Sequence, residues 1–298
     1  MEKKIVIFAT IIFAALLFSE VSGEYGFQFL KILSGAETAG QAGTGELSSN
    51  DAFAFLENPA AGLLNRSRVL SFTQNYWLFG TKLSNIAYNN SRGKSSFGFA
   101  FRQLDYGKIE GRDEQQMLID EFHPIDLDFV FNFAYRITPS HYFGVSVNAL
   151  YEKINTSSSS GISADLGYVF LTPIRNLKLS AALKYWGITS KMNEESIQLP
   201  LTFELGTTKD FTFSSVLLSL SGKAVKTEDN NELNAALGLN CSVKEKVNFR
   251  VGYKINYDAE DFSAGIGFNL GKFIIDYAFI PFDSELDDVH MFGISYKF

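Results

Sequence analysis

The chain has 298 residues, with 26 Lys and Arg against 33 Asp and Glu, for a net charge of -7. That balance speaks against a nucleic-acid binder, which needs a basic face to displace counterions from phosphate, and an aromatic content of 15% is too apolar for a disordered chain. A single Cys and three widely separated His (His123, His141, His290) exclude an internal disulfide scaffold and leave no motif for a metal or cofactor.

Residues 1–23 have the layout of a secretory signal peptide. Lys3 and Lys4 precede an apolar run from Ile5 to Phe18, broken only by Thr10, and small enough residues, Val21 and Gly23, precede Glu24. The run is short for a membrane-spanning helix, which needs about 20 residues. Cleavage before Glu24 is therefore expected, and no Cys follows for lipid attachment. The remainder, 24–298, contains no apolar run long enough for a helical span, so a helical membrane protein is excluded.

Residues 24–66 do not alternate. They are small and Gly-rich (Gly35, Ala36, Ala39, Gly40, Ala42, Gly43, Gly45) and end in a helix-like stretch, Asp51–Leu56, with an Asn58-Pro59 stop. If the segments that follow close into a wide wall, this one is expected to fold inside it as a plug; the alternative is a floppy tail.

From residue 67 to 298 the pattern has period two. Val247, Phe249, Val251, Tyr253, Ile255 and Tyr257 share one face, while Asn248, Arg250, Gly252, Lys254 and Asn256 share the other. The same reading predicts 14 strands, at about 68–77, 79–89, 95–104, 127–137, 142–154, 161–171, 176–188, 199–208, 212–226, 231–244, 247–258, 261–270, 272–281 and 289–298. Many are about 10 residues long, enough to cross a bilayer at a tilt. A soluble β-sandwich also alternates, but its strands are usually five or six residues. Connectors here alternate between short, as at Thr138–His141 and Gly271, and mostly longer, as at Gln103–Asp126 and Gly187–Gln198. Outer-membrane barrels show that alternation. The fold class is thus all-β, a transmembrane antiparallel barrel with an N-terminal luminal plug. The last strand places Phe292, Ile294, Tyr296 and Phe298 on one face, and a terminal Phe there resembles the signal read by the barrel-assembly machinery of Gram-negative bacteria. The outer membrane, with its lipid and lipopolysaccharide, is the expected location.

The inward face is expected to carry Arg102, Arg136, Lys178, Lys184, Arg250 and Lys254 with fewer acids, namely Asp165, Glu204 and Asp276. Such a ladder wets the lumen, tunes a water path or pairs with the plug.

The order of several short stretches resembles the PorV/PorQ family of outer-membrane proteins, related to the long-chain fatty-acid transporters of the FadL type. They are Gly35-Ala36 through Asn58-Pro59-Ala60, Leu104 to Gly111, Glu121-Phe122 with Asp126, Ser163 to Tyr168, Leu199-Pro200-Leu201 and Asp276 to Phe279. The resemblance implies a 14-stranded barrel whose plug motif is Gly35, Gly40, Gly43, Asn58, Pro59 and Ala60. It implies a non-catalytic role in protein secretion or surface attachment of the type IX kind. Loop 103–126 would then hold exported cargo or secretion-system proteins. The FadL-type relationship implies the alternative, a channel for uptake of hydrophobic small molecules. In that case the plug shifts, the solute leaves through the wall, and Phe53, Phe55 and Leu56 touch it, unless they only pack the plug against the wall.

Chemistry is otherwise sparse. Carboxylate pairs at Asp113-Glu114, Asp120-Glu121, Asp126/Asp128, Glu194-Glu195, Glu228-Asp229 and Asp287-Asp288 fall at expected outer loops or their edges and read as solvated charge. No GxSxG elbow supports an esterase. Ser157–Ser160 reads as a loop tip, Trp77 and Trp186 as interface-girdle residues, and Cys241 as a small lipid-facing hydrophobe.

Overall fold

Wherever large apolar residues alternate with small or polar ones, the backbone is a strand. The computed structural model describes residues 24–298 except 66, 113–116, 231 and 283–285. The expected signal peptide, Arg66 at the end of the plug segment and the Asp113-Glu114 pair lie outside the described residues. Fourteen strands form one closed barrel. They are β1 (Arg68–Tyr76), β2 (Lys82–Arg92), β3 (Ser95–Asp105), β4 (Ile125–Thr138), β5 (His141–Ile154), β6 (Ser157–Leu171), β7 (Leu177–Thr189), β8 (Thr202–Phe213), β9 (Val216–Thr227), β10 (Asn234–Val243), β11 (Val247–Ile255), β12 (Phe262–Leu270), β13 (Phe273–Ile280) and β14 (Val289–Lys297). Consecutive strands pair antiparallel, and β14 closes onto β1 from Lys297–Val69 to His290–Tyr76. Closure removes the edges that lipid could not solvate.

The outer face is apolar and rich in aromatic pairs. Between β3 and β4, Phe97–Phe133, Phe99–Phe131 and Phe101–Phe129 stand with ring centroids 5.2, 5.2 and 4.6 Å apart. Phe298 sits just past β14, its N–H donating to Arg68 O, with its ring edge-on to Tyr296. The inner face is the reverse: Ser71, Thr73, Asn75, Asn85, Asn89 and Asn132 are all buried.

One barrel end has short turns, such as 93–94 and 271–272, where Gly93 and Gly271 take φ of 67°. At the other end the connection 106–124 carries a small hairpin, Ile109–Arg112 with Leu118–Phe122, and 190–201 folds over the mouth. Short turns are periplasmic and long loops external in this class of barrel.

Two connectors differ from expectation. Ser157–Ser160 is the start of β6, and the β5–β6 connection is only 155–156, because Asn155 adopts φ 52° and makes a tight turn. The turn expected between the strands at about 199–208 and 212–226 lies instead at 214–215. Asp210 is within the ladder opposite Ser219, whose hydroxyl donates to its carboxylate at 2.7 Å.

The segment preceding β1 fills the lumen. Glu24–Tyr25 pair in parallel with Ile197–Gln198 of the outer connection. Short helical turns follow at Gln28–Lys31, Ala36–Ala39, Ala54–Glu57 and Ala61–Leu63, with nearly every side chain buried.

Candidate functional site

Small residues position the plug. Gly40 lies against Gly265 of β12, so close that a Cβ on Gly40 would stand 3.0 Å from the Gly265 Cα. A Cβ on Gly238 or Gly252, opposite each other on β10 and β11, would overlap Thr44 or Ala42. Gly43 takes φ 82° and turns the chain there. Gly35 sits against Asp51 and Phe53.

A second notch receives the Asn-Pro-Ala turn. Gly144 of β5 and Gly167 of β6 pair with each other, and a Cβ on either would overlap Pro59, Ala60 or Asn58. Asn58 caps the Ala54–Glu57 turn. Its side-chain amide donates to Ala181 O at 3.0 Å, and its Oδ1 accepts from Ala60 N at 2.9 Å. Asn132 of β4 donates to Pro59 O at 3.1 Å. Each plug-motif residue thus meets the wall or shapes the plug turn.

Charge forms three buried groups. Arg250 of β11 pairs with Asp276 of β13 at 2.6 Å and with Glu37 of the plug at 3.2 Å. Beside them Asp51 accepts hydrogen bonds from Phe53 N at 2.9 Å and Ser49 Oγ at 3.0 Å. Burial, reinforced by Glu37 and Asp276, pushes the Asp51 carboxyl up to about 8. In the second group Lys223 of β9 stands 3.1 Å from Glu204 of β8, 3.5 Å from Glu46 and 3.8 Å from Glu57, while Lys184 of β7 reaches Glu204 at 3.5 Å. Burial raises the Glu46 carboxyl above its usual range against the opposing pull of Lys223. In the third, Arg102 of β3 pairs with Asp128 at 3.4 Å and donates to Ile32 O at 2.8 Å, which holds the Gln28–Lys31 turn.

Between the plug and the outer mouth lies a cavity of about 280 Å³. Leu30, Ile32, Leu33, Leu56 and Val225 give it an apolar side, and the Lys184–Glu204–Lys223 group gives it a charged floor. A second pocket, about 340 Å³, lies in the wall between the outer end of β7 and residues 196–201, lined by Trp186, Ile188, Ile197 and Leu201. Wall pairing between β7 and β8 stops at Lys184–Thr202, just below this pocket.

The expected luminal residues Arg102, Asp165, Lys184, Glu204, Arg250 and Asp276 are buried inside the barrel. Arg136 shares their parity but lies at the turn end of β4, half-exposed, with no carboxylate partner among the described residues. Lys178 pairs with Asp210 at 3.0 Å, and Lys254 with Glu260. Asp126 and Asp128, expected as solvated loop charge, are buried in the lumen, because β4 begins at Ile125 and both share the inward parity of Asn132. Phe53 and Phe55 are packed with Val69, Ala87, Ala100 and Val130, whereas Leu56 also borders the cavity.

Residues missed in the sequence include Lys223, whose place on the polar face of β9 beside Ser219 and Ser221 was a usable signal. The plug acids Glu37, Glu46, Asp51 and Glu57 gave only their charge within a Gly-rich stretch. Tyr185 was betrayed by a parity switch: Leu179, Ala181 and Leu183 are odd-numbered, while the exposed Trp186 and Ile188 are even.

No family model and no curated protein sequence matches this chain. Solved structures do match. The CymD monoaromatic hydrocarbon channel superposes with a TM-score of 0.64 at 12% identity, covering 89% of this chain and 97% of that one. The Pseudomonas putida toluene transporter TodX gives 0.62 at 13%, covering 94% and 99%. A Pseudomonas aeruginosa FadL homologue gives 0.58 at 12%, covering 89% and 98%. These comparisons give the PorV/PorQ resemblance no support. The fold shared with these structures is a closed 14-stranded antiparallel β-barrel of the outer membrane.

Proposed function

We propose that this protein is a non-catalytic FadL-like channel that takes up small hydrophobic molecules across the outer membrane. The observation that carries the reading is the conjunction of a plugged lumen, an outer cavity with an apolar side, and a pocket in the wall where β7 and β8 part. The cavity is concave, as small-molecule sites are, with its apolar side set among charged residues that include Arg102, Lys254 and Glu260. The apolar body of a solute packs against Leu30, Leu33, Leu56 and Val225, while the paired charges below keep water and ions from a straight path. The solved barrels of like fold are named for hydrocarbon and toluene transport, which supports transport over catalysis. Association with type IX secretion has no structural observation behind it, and the channel reading takes its place.

The test is uptake of the apolar fluorophore N-phenyl-1-naphthylamine by cells that insert this barrel in their outer membrane. Faster uptake than by vector-only cells is expected. Equal rates, together with stoichiometric surface proteins in a mild-detergent pull-down from native membranes, would return the secretion reading.

A further inference from the structure

A bulge turns Tyr185 into the lumen. Lys184 and Tyr185 of β7 together oppose the single residue Asp165 of β6, between the pairs Leu183–Leu166 and Trp186–Ala164. Two consecutive side chains therefore face inward, and both are buried. In a regular strand one of them would face lipid. Tyr185 holds φ 64°, a backbone conformation rare for an aromatic residue. Strain of this kind persists only where the surroundings enforce it, and it gathers at functional sites.

The surroundings are specific. The Tyr185 N–H, displaced from the ladder, donates to Asp165 Oδ1 at 2.7 Å. Asn148 donates to the other Asp165 oxygen at 3.0 Å, which fixes that carboxylate. The Tyr185 hydroxyl donates to Leu30 O at 2.7 Å, so the ring is latched to the N-terminal segment. Beyond Lys184 the wall strand on the β8 side is missing. The nearest extended residues there, Ile197–Gln198, pair with Glu24–Tyr25. Tyr185 is also the residue that borders both the luminal cavity and the wall pocket.

We propose that the Tyr185 ring is the gate between these two cavities, and that a small apolar solute passes from lumen to wall pocket when the ring leaves its latch on Leu30. Asp165 is a positioning residue, because it holds the bulge that aims the ring inward. This inference rests on the channel reading. It adds the residue that sets when, and for what size of solute, the side path opens.

The test uses the full chain in the outer membrane and N-phenyl-1-naphthylamine as the probe, with the heat-modifiable band on electrophoresis reporting a folded barrel. A closed gate whose open form is a minor state, populated to about 10% or less, predicts that Tyr185→Ala raises uptake by about tenfold or more. Tyr185→Phe keeps the ring and loses the latch, so a smaller rise is expected. Gln198→Trp fills the wall pocket from the opposite side without touching the bulge, and uptake should fall below wild type. It serves as the independent arm if Tyr185→Ala does not fold. Uptake by folded Tyr185→Ala equal to wild type, or wild-type uptake by Gln198→Trp, overturns the gate while leaving the channel intact. Uptake no faster than the empty vector for wild type and every variant overturns the channel reading and the gate with it.

Discussion

The Arg250 guanidinium, on wall strand β11, stands 3.2 Å from the Glu37 carboxylate of the plug, and both side chains are buried. Arg250 also pairs with Asp276, and Asp51 lies close to both acids. One cation thus serves wall and plug together. Taking it away leaves buried carboxylates without a counter-charge, a loss of about 3–5 kcal/mol for a broken buried pair. Arg250→Gln should lower the temperature at which the folded electrophoretic band is lost. It should also loosen the plug, read as faster maleimide labelling of Asn50→Cys in a Cys241→Ser background. The double change Arg250→Gln with Glu37→Gln should recover part of the loss, since neighbouring effects are non-additive. Full additivity would deny the pair its role.

Asp51 gives the plug a pH dependence of determined sign. Its carboxyl is pushed up to about 8 by burial and by the neighbouring Glu37 and Asp276. The folded chain therefore keeps a proton that the unfolded chain releases near pH 4. Stability from this group is fully present below about pH 4 and is lost as pH rises through about 8. Unfolding midpoints in denaturant should fall between pH 6 and pH 9. Asp51→Asn retains an oxygen for the Phe53 N–H and Ser49, so it should fold and flatten that fall. An unchanged pH slope in this variant would assign the dependence to other groups.

Much of this architecture was legible because a barrel wall obeys one rule per residue. Arg250 and Asp276 fall on the polar face of otherwise apolar strands, and no other side of a closed barrel can hold them. Gly252 fell on the inward face by parity, but the notches at Gly144, Gly167 and Gly252 take their meaning only from the plug laid against them. The plug was harder to read, because short turns without period leave Glu46 and Glu57 no face to belong to. Their partner Lys223 becomes meaningful only when the plug is laid against β9. Tyr185 escaped for a different reason. A bulge shifts parity by one residue, and a strand read as continuous assigns every residue beyond it to the wrong face. Ser157–Ser160 misled through composition, since a serine run reads as a loop although it pairs fully with β5.

The glycine notch predicts a separation of wall from plug. Gly144→Ala and Gly167→Ala add a methyl where Pro59 and Asn58 now lie, while alanine is tolerated in a strand. Overpacking of this kind costs about 1–3 kcal/mol. The barrel should still run as a folded band, because its ladder is untouched. The plug should be displaced, giving faster labelling of the Asn50→Cys reporter and larger single-channel currents in planar bilayers. Wild-type currents from both variants would show that the Asn-Pro-Ala turn does not need that close approach.

Phe55 and Leu56 are adjacent and predict opposite phenotypes. Phe55 is fully buried, its ring over Gly98 at a distance where a Cβ would stand 2.7 Å away, and it is surrounded by Val69, Ala87 and Ala100. Leu56 belongs to the same cluster but also lines the luminal cavity. Phe55→Ala therefore removes packing and should cost about 3–5 kcal/mol of stability. Its effect on which apolar probes enter should be small at temperatures where the barrel stays folded. Leu56→Phe adds volume at the cavity wall, so it should discriminate by size, slowing a three-ring probe such as N-phenyl-1-naphthylamine more than a single-ring one such as toluene. The comparison is a ratio of uptake rates for two probes, which a general loss of folded protein leaves unchanged. A shifted ratio in Phe55→Ala with none in Leu56→Phe would move the solute path to the other side of the plug.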